Sequence, residues 1–440
     1  QKRLVTPDDN MQGCKYSGDG VYVRTLNDYV SRSFSFGDDE AQAMGDILGA
    51  IAGASKMIGN QVAMCSIHGT YGLKGSSGGA AGVNATGDEQ KELDIMANEV
   101  MFAALRSCGR VSVAVSEENE DVVVLRPPTD SARYALVFDP VDGSSNIECS
   151  VSVGTIFGVY RLDDGVDFDD VDPKSAVLRP GRDMVAAGYV LYSTSTFFNF
   201  SVGGKEVRSF VLDPRFGEYV EDSLRSPLHL PQHPKRILSA NGGNAGNWNK
   251  PTAEFVAWTA RQEQPYTHRY IGSMVADVHR TMLYGGIFFY PADRKNRSGK
   301  LRLLYECFPL AYLVEAAGGK ATSGGKRILD LVPTDIHERS PIYIGSTRDV
   351  DVVDRCFAAV TNEFVDEVVK DSSIHGTHTR PLTSPLGAKK RIDTTAPNTK
   401  PLNCPALDQS TTSVDSDASS DEGVVGMRSD LDAPVAQIVA

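Results

Sequence analysis

Four places in the 440-residue sequence offer carboxylates that could act together: Asp88 with Asp94, Glu117 with Glu118, Asp139 with Asp142, and Glu306. None has a histidine or cysteine neighbour at metal-ligand spacing. The donors are therefore oxygens, a set that suits Mg²⁺ or Mn²⁺ and disfavours zinc. Mg²⁺ keeps near-octahedral geometry and is usually shared between a few carboxylates and a substrate phosphate. The densest stretch is Asp139-Pro140-Val141-Asp142-Gly143-Ser144-Ser145-Asn146. Its two acids precede a Gly-Ser-Ser turn whose freed backbone N–H groups attract an anion. Cation and phosphate chemistry thus adjoin. Taken alone, the octet fits a surface turn equally well, and Asp88 and Asp94 fit ordinary residues of a helix start.

The elements that must carry these acids are legible in apolar spacing. Tyr134-Ala135-Leu136-Val137-Phe138 reads as a buried strand that Pro140 ends, and residues 111–115 as a β-branched strand delivering Glu117 and Glu118 to a turn. Met44, Ile47, Leu48, Ile51, Ala54, Ile58 and Val62 recur at helical spacing, and Leu93, Met96, Val100 and Leu105 mark a helix beginning at Thr86. Further strands are expected over 122–125, 151–160 (broken at Gly154 and Gly158), 184–192, 286–290, 301–305, 328–332 and 342–344. Helices are expected over 252–259, 275–283, 311–316 and 350–369. The Gly-rich stretch 69–82 has no P-loop pattern and reads as a surface insertion. Irregular alternation with hairpin-like successions places the chain in the α/β or α+β class with layered sheets.

Composition bounds the rest. A net charge of −13 with no long basic run before the tail argues against nucleic acid or an anionic membrane as the main partner. No apolar stretch approaches the ~18 residues of a membrane span. Seven scattered cysteines without a CxxC pair argue against a thiolate zinc site and fit a reducing, cytoplasmic setting, and no signal-peptide pattern is evident. The expected division is a flexible arm over 1–20, a first domain over 21–225, a second domain over 226–370, and a disordered tail over 371–440. The tail is rich in Ser, Thr, Pro and Asp and cannot bury enough surface to fold.

Several long blocks resemble one family. The octet with Glu148-Cys149-Ser150-Val151-Ser152-Val153-Gly154-Thr155-Ile156-Phe157-Gly158 is similar to the core motif of class I fructose-1,6-bisphosphatases. So are Arg269-Tyr270-Ile271-Gly272-Ser273-Met274-Val275-Ala276-Asp277-Val278-His279-Arg280-Thr281 and Gly299-Lys300-Leu301-Arg302-Leu303-Leu304-Tyr305-Glu306-Cys307. The likeness runs from about Thr25 to Phe364. It implies the stacked α-β-α-β-α sandwich of the sugar phosphatases, a superfamily that also holds inositol monophosphatase.

It also implies roles. Glu117, Asp139 and the Val141 carbonyl would hold one Mg²⁺; Asp139, Asp142 and Glu306 a second; Asp88 with Glu117 a transient third, with Mn²⁺ a possible substitute. Glu118 and Asp94 match the acid/base pair that orients and deprotonates the attacking water. Backbone N–H groups of Gly143, Ser144 and Ser145 would receive the 1-phosphate of fructose 1,6-bisphosphate. Asn241, Tyr270, Tyr290 and Lys300 match the 6-phosphate contacts; Met274, Lys300 and Arg302 would serve the sugar end. Arg269 matches a residue lent by a neighbouring subunit of a homotetramer. The family's Thr-Gly-Glu-Leu nucleotide stretch aligns here with Ala41-Gln42-Ala43-Met44, while Arg133, Tyr134 and Arg161 match or nearly match the rest of that pocket. AMP inhibition is thereby in doubt. The rival readings are a sedoheptulose-1,7-bisphosphatase or dual-specificity enzyme, and an inactive sugar-phosphate-binding paralogue.

Overall fold

The apolar runs of the first half pair into a sheet of eight strands: β1 (Val111–Ser116), β2 (Val123–Val124), β3 (Tyr134–Asp142), β4 (Val153–Arg161), β5 (Met184–Tyr192), β6 (Thr196–Val202), β7 (Arg208–Asp213) and β8 (Glu218–Glu221). Their order is β2-β1-β3-β4-β5-β6-β7-β8, with β1 and β3 parallel and every other neighbouring pair antiparallel. A second sheet is built from β9 (Ile237–Ser239), β10 (Thr267–His268), β11 (Ile287–Tyr290), β13 (Lys320–Thr322) and β15 (Ile342–Gly345), in the order β10-β9-β11-β15-β13. β12 (Leu301–Arg302) and β14 (Arg339–Ser340) form a separate antiparallel pair. The computed structural model describes residues 24–33, 39–68 and 91–359. The arm over 1–20, the Gly-rich stretch, Asp88 with the helix start at Thr86, the last helix beyond 359 and the tail lie outside the described residues.

Among the described residues, seven helices complete the layers: α1 (Leu26–Ser33), α2 (Asp39–His68), α3 (Glu92–Cys108), α4 (Lys250–Ala260), α5 (Met274–Tyr284), α6 (Phe308–Ala316) and α7 (Thr347–Ala359). On one face of the large sheet, Ile47, Ile51, Met101 and Leu105 of α2 and α3 pack with Leu136, Phe157 and Phe198. On its other face, Val278, Met282, Leu310 and Leu313 of α5 and α6 pack with Val137, Ile156 and Ile344, which brings in the second sheet. Beyond that sheet, Phe255, Val350 and Val353 of α4 and α7 pack with Phe289 and Tyr343. The succession is helix, sheet, helix, sheet, helix. Because β3, β4 and β5 are covered on both faces, their sequences read as apolar runs rather than alternating ones.

Local differences from the sequence reading have physical causes. Pro140 does not end β3. Asp139 pairs with Ile156 and Asp142 with Gly154, so β3 spends one extra residue across this interval. The proline falls in that bulge, where a missing N–H costs no ladder bond. β4 is likewise unbroken at Gly154, where a Cβ would lie 2.4 Å from the Val190 carbonyl oxygen; close strand approach, not a break, requires glycine. Residues 328–330 form a 3₁₀ turn instead of a strand. The strand expected over 301–305 stops at Arg302 and gives way to a π-helical turn, Leu303–Cys307. β6 is absent from the sequence reading although Phe198-Asn199-Phe200-Ser201-Val202 alternates apolar and polar; Asn199 and Ser201 are nevertheless buried.

Between the sheets, Nδ1 of His279 lies 2.8 Å from the Tyr189 hydroxyl oxygen. Burial, with the charge of Arg225, holds the imidazole down at about 4. The unfolded chain therefore binds the extra proton between about pH 4 and the ordinary value near 6.5, and stability falls as pH drops through that window. His279→Gln should remove up to ~3 kcal/mol of this acid sensitivity. Thermal midpoints of both proteins at pH 7 and pH 5 are the check; equal losses on acidification would refute it.

Candidate active site

β1 and β3 are parallel, so their C-terminal ends open on the same side, the side on which α/β sheets place ligands. Glu117 follows β1 and donates its N–H to the Phe138 carbonyl at 3.2 Å, one residue before Asp139. The bulge in β3 carries both Asp139 and Asp142, with Val141 buried between them. Asp139 Oδ1 accepts the Val141 N–H at 2.9 Å and Asp142 Oδ2 accepts that of Val275 at 2.8 Å. Glu306 comes from the π-helical turn, a distortion frequent at functional sites, and accepts the Arg302 N–H.

Asp139, Asp142 and Glu306 each place a carboxylate oxygen within 4.8 Å of the others, and they are only 2%, 6% and 4% exposed. Burial pushes Asp139 far above the usual carboxylate range, and the charges of Glu117, Asp142 and Glu306 add to it. Burial similarly lifts Asp142 to about 7 and Glu306 to about 8, Glu117 contributing to both. Buried like charges at this spacing are unfavourable unless a cation joins them. The residues fit a hard divalent ion. Glu117 stands at the rim, 3.1 Å from the guanidinium of Arg302. Mg²⁺ at saturating concentration is therefore expected to raise the thermal midpoint, by an amount equivalent to ~3 kcal/mol at a hundredfold excess over Kd, with a chelator reversing it. A midpoint indifferent to both would refute the site.

Beside the acids, Gly143 adopts φ +80° and opens the 3₁₀ turn Ser144–Cys149. A Cβ on Gly143 would meet the Ser273 side chain at 3.1 Å, so the turn lies close under the start of α5. Asn146 Nδ2 donates to the Gly272 carbonyl at 2.9 Å, joining this turn to the second sheet's side of the site. Asp94, in the first turn of α3, accepts the Lys91 N–H at 3.0 Å. Burial lifts it to about 6, and a hydrogen bond with the Ser144 side chain partly opposes the rise. It therefore sits beside the Gly-Ser-Ser turn and titrates near neutrality, as an acid/base group should. Glu118 is half-buried, its N–H donating to the Ser116 hydroxyl at 3.2 Å.

The remaining expected residues come from the second half. Tyr270 is 40% exposed. Burial of its ring, then the neighbouring Tyr290, Asp277 and Asp142, push its hydroxyl up to about 12. The Lys300 ammonium lies 6.0 Å from the Tyr290 ring centroid. Asn241 is exposed and caps the 3₁₀ turn Gly242–Asn247, accepting the Gly243 N–H at 3.1 Å. Arg269 is exposed, and Met274 is buried at the first position of α5. Arg302, expected among the sugar contacts, is buried and its guanidinium lies 3.1 Å from Glu117.

One residue escaped the sequence reading. Asp277, fully buried, accepts the N–H groups of Ile271 and Gly272, the Ser239 hydroxyl at 2.7 Å and the Arg280 guanidinium at 2.7 Å. It holds the turn that follows Tyr270. Its only signal was its place within the Arg269–Thr281 block, where an acid in the first turn of a helix looked like ordinary dipole compensation.

Five alternating layers and a buried carboxylate cluster beside a phosphate-type turn define a metal-dependent phosphatase of the sugar phosphatase fold. Residues 25–223 match the model of the fructose-1,6-bisphosphatase N-terminal domain and residues 230–358 that of its C-terminal domain. A cytosolic fructose-1,6-bisphosphatase of Solanum tuberosum is 48% identical over 302 residues, covering 67% of this chain and 85% of that protein. One from Oryza sativa subsp. indica is 45% identical over 343 residues, covering 77% and 96%. The crystal structure of Leishmania major fructose-1,6-bisphosphatase in holo form superposes with a TM-score of 0.69 at 38% identity, covering 77% of this chain and 99% of that one. The chain belongs to the fructose-1,6-bisphosphatase family. Among the described residues, no helix is long and apolar enough to cross a membrane.

Proposed function

We propose that this enzyme hydrolyses fructose 1,6-bisphosphate to fructose 6-phosphate and phosphate, with Mg²⁺ held by Asp139, Asp142, Glu306 and Glu117. The observation that carries the reading is the buried Asp139–Asp142–Glu306 cluster abutting the Gly143 turn. Two to three ions fit the number of acids: Glu117, Asp139 and the Val141 carbonyl would hold one, Asp139, Asp142 and Glu306 a second, and Asp88 with Glu117 a third; Mn²⁺ is the natural substitute. Bound there, the metal supplies charge neutralisation for the phosphate and acidifies a nearby water. The chain supplies the rest. Free N–H groups of Gly143, Ser144 and Ser145 receive the 1-phosphate, and Glu118 with Asp94 orients the water and takes its proton. Asn241, Tyr270, Tyr290 and Lys300 bind the 6-phosphate as hydroxyl, amide and ammonium donors, and Met274 lines the sugar. Arg302 joins the substrate contacts, its guanidinium also pairing with Glu117 at 3.1 Å.

Several finer properties belong to the same reading. Arg269 is exposed and free to serve a second copy's site in a homotetramer. AMP is a weak effector at most: Arg161, one of the positions matching that pocket, already pairs with Glu40 at 2.9 Å and with Asp164 at 2.9 Å. The plant relatives bear the name cytosolic, which supports a cytoplasmic setting. The division near residues 226–234 is supported by the large sheet closing at Glu221 and the second opening at Ile237.

The test is phosphate release with Mg²⁺, with and without AMP, on fructose 1,6-bisphosphate and on sedoheptulose 1,7-bisphosphate. A several-fold preference for the seven-carbon sugar would overturn the substrate, and an active monomer on sedimentation would overturn the shared Arg269.

A further inference from the structure

The turn bearing Glu117 and Glu118 is held by a hydrogen-bond chain that crosses the molecule. The Ser116 hydroxyl donates to Asn98 Oδ1 at 2.7 Å, and Asn98 Nδ2 donates to Asn119 Oδ1 at 2.9 Å, which ties the turn to α3. From the far end of the chain, His337 Nε2 lies 3.0 Å from the Asn119 carbonyl oxygen. Its other ring nitrogen, Nδ1, lies 2.9 Å from the hydroxyl of Tyr305, the residue before Glu306. A carbonyl can only accept, so Nε2 carries the hydrogen; in the neutral ring Nδ1 then accepts from Tyr305. The imidazole also meets the Tyr305 ring edge-on, centroids 5.9 Å apart.

The segment carrying His337 is itself fixed. The His337 N–H donates to Asp335 Oδ1 at 2.8 Å, and the Glu338 carbonyl accepts the Leu303 N–H at 2.7 Å. β14 follows at once and pairs Arg339 with Arg302, whose guanidinium holds Glu117. One imidazole thus touches both segments that deliver acids from distant parts of the sequence.

We propose that His337 is a positioning residue that, as its Nε2–H tautomer, locks the Glu117–Glu118 turn at a set distance from Glu306. The proposal rests on the phosphatase reading for its consequence, because only a shared ion makes that distance matter. Partners one step behind metal ligands are worth roughly 10–100-fold in metal affinity or activity. Leucine at 337 fills comparable space and makes neither bond. Glutamine retains an N–H that can reach the Asn119 carbonyl.

Hydrogen exchange of backbone amides 116–122 in the metal-free protein tests the lock without substrate. His337→Leu is expected to speed their exchange at least tenfold; Gln restores most of the protection. With Mg²⁺, Leu should need about tenfold more metal by calorimetry and lose 10–100-fold in kcat at unchanged sugar KM, with Gln close to the parent. Tyr305→Phe, which removes only a hydroxyl, should speed the same amides severalfold and covers the case in which Leu does not fold. Unchanged exchange in the Leu or Phe variant, or Gln as impaired as Leu with KM raised, would overturn the assignment. Failure of the parent to release phosphate would instead count against the phosphatase reading, since exchange and calorimetry need no turnover.

Discussion

Asp139→Asn is expected to make the metal-free protein more heat-stable while cutting phosphate release by on the order of 10³–10⁴-fold. Asp139 is 2% exposed and shares a 4.8 Å neighbourhood with Asp142 and Glu306. Asparagine keeps the Oδ1 acceptor for the Val141 N–H, so the bulge survives. It removes one of three buried charges that repel each other, a gain of roughly 1–2 kcal/mol. The sign depends on pH. All three acids are raised above the usual range, with Asp142 at about 7 and Glu306 at about 8. The parent's stability from this cluster is therefore present at the acid end and lost as pH rises through those values. The variant's advantage should grow from pH 5 to pH 8 in chelator and shrink when Mg²⁺ is added. Glu118→Gln is the contrast: it should lose 10²–10⁴-fold in kcat through the missing base, with no thermal gain. Scanning calorimetry with chelator at both pH values decides between them. A destabilised Asp139→Asn protein in chelator would mean that the carboxylate is satisfied without a cation, and the site assignment would go with it.

How much of this was legible beforehand differs from acid to acid. Asp139, Asp142 and Glu306 stood out as acids at strand or helix ends, the likeness to the family grouped them on one ion, and the structure brings their carboxylates within 4.8 Å of one another. Their number and type sufficed to name an oxygen-only metal site. The bulge that brings Asp139 and Asp142 onto one centre was hidden, because Pro140 read as a terminator by its missing N–H. Only the pairing with β4 reveals that nothing was owed to the ladder there. The π-helical turn at Leu303–Cys307 was equally hidden, since its sequence is continuously apolar up to Glu306 and strand and helix cannot be told apart over so short a run. Arg302 was expected among the substrate contacts through the likeness of its block to the family. Its burial against Glu117 follows from β12 pairing with β14, a contact across residues far apart in the chain. The layered fold was readable in outline, whereas the central strand β6 was missed although Phe198-Asn199-Phe200-Ser201-Val202 alternates apolar and polar.

Asp277→Ala should damage substrate binding more than turnover, and do so through the backbone. The carboxylate is fully buried and accepts from four separate groups, two of them the N–H groups of Ile271 and Gly272. Gly272 has φ +89°, a conformation that a fixed acceptor on its N–H helps to maintain. Removing the acid leaves Arg280, whose side chain is 13% exposed, without its 2.7 Å partner. Breaking a buried pair from one side costs about 3–5 kcal/mol, since the remaining charge stays desolvated. The turn after Tyr270 is then free to move, and with it the hydroxyl assigned to the 6-phosphate. KM for the sugar bisphosphate should rise about tenfold, the ~1.4 kcal/mol of one charge-assisted contact, while kcat falls less. Asp277→Asn separates the two effects: its one oxygen still serves the N–H groups, but its amide N–H₂ faces the Arg280 guanidinium. It should recover KM more than stability. Parallel kcat, KM and thermal-midpoint measurements on both variants make the comparison. A variant that loses kcat with KM unchanged would move Asp277 from the substrate end to the chemistry around Asp142, whose carboxylate it already influences.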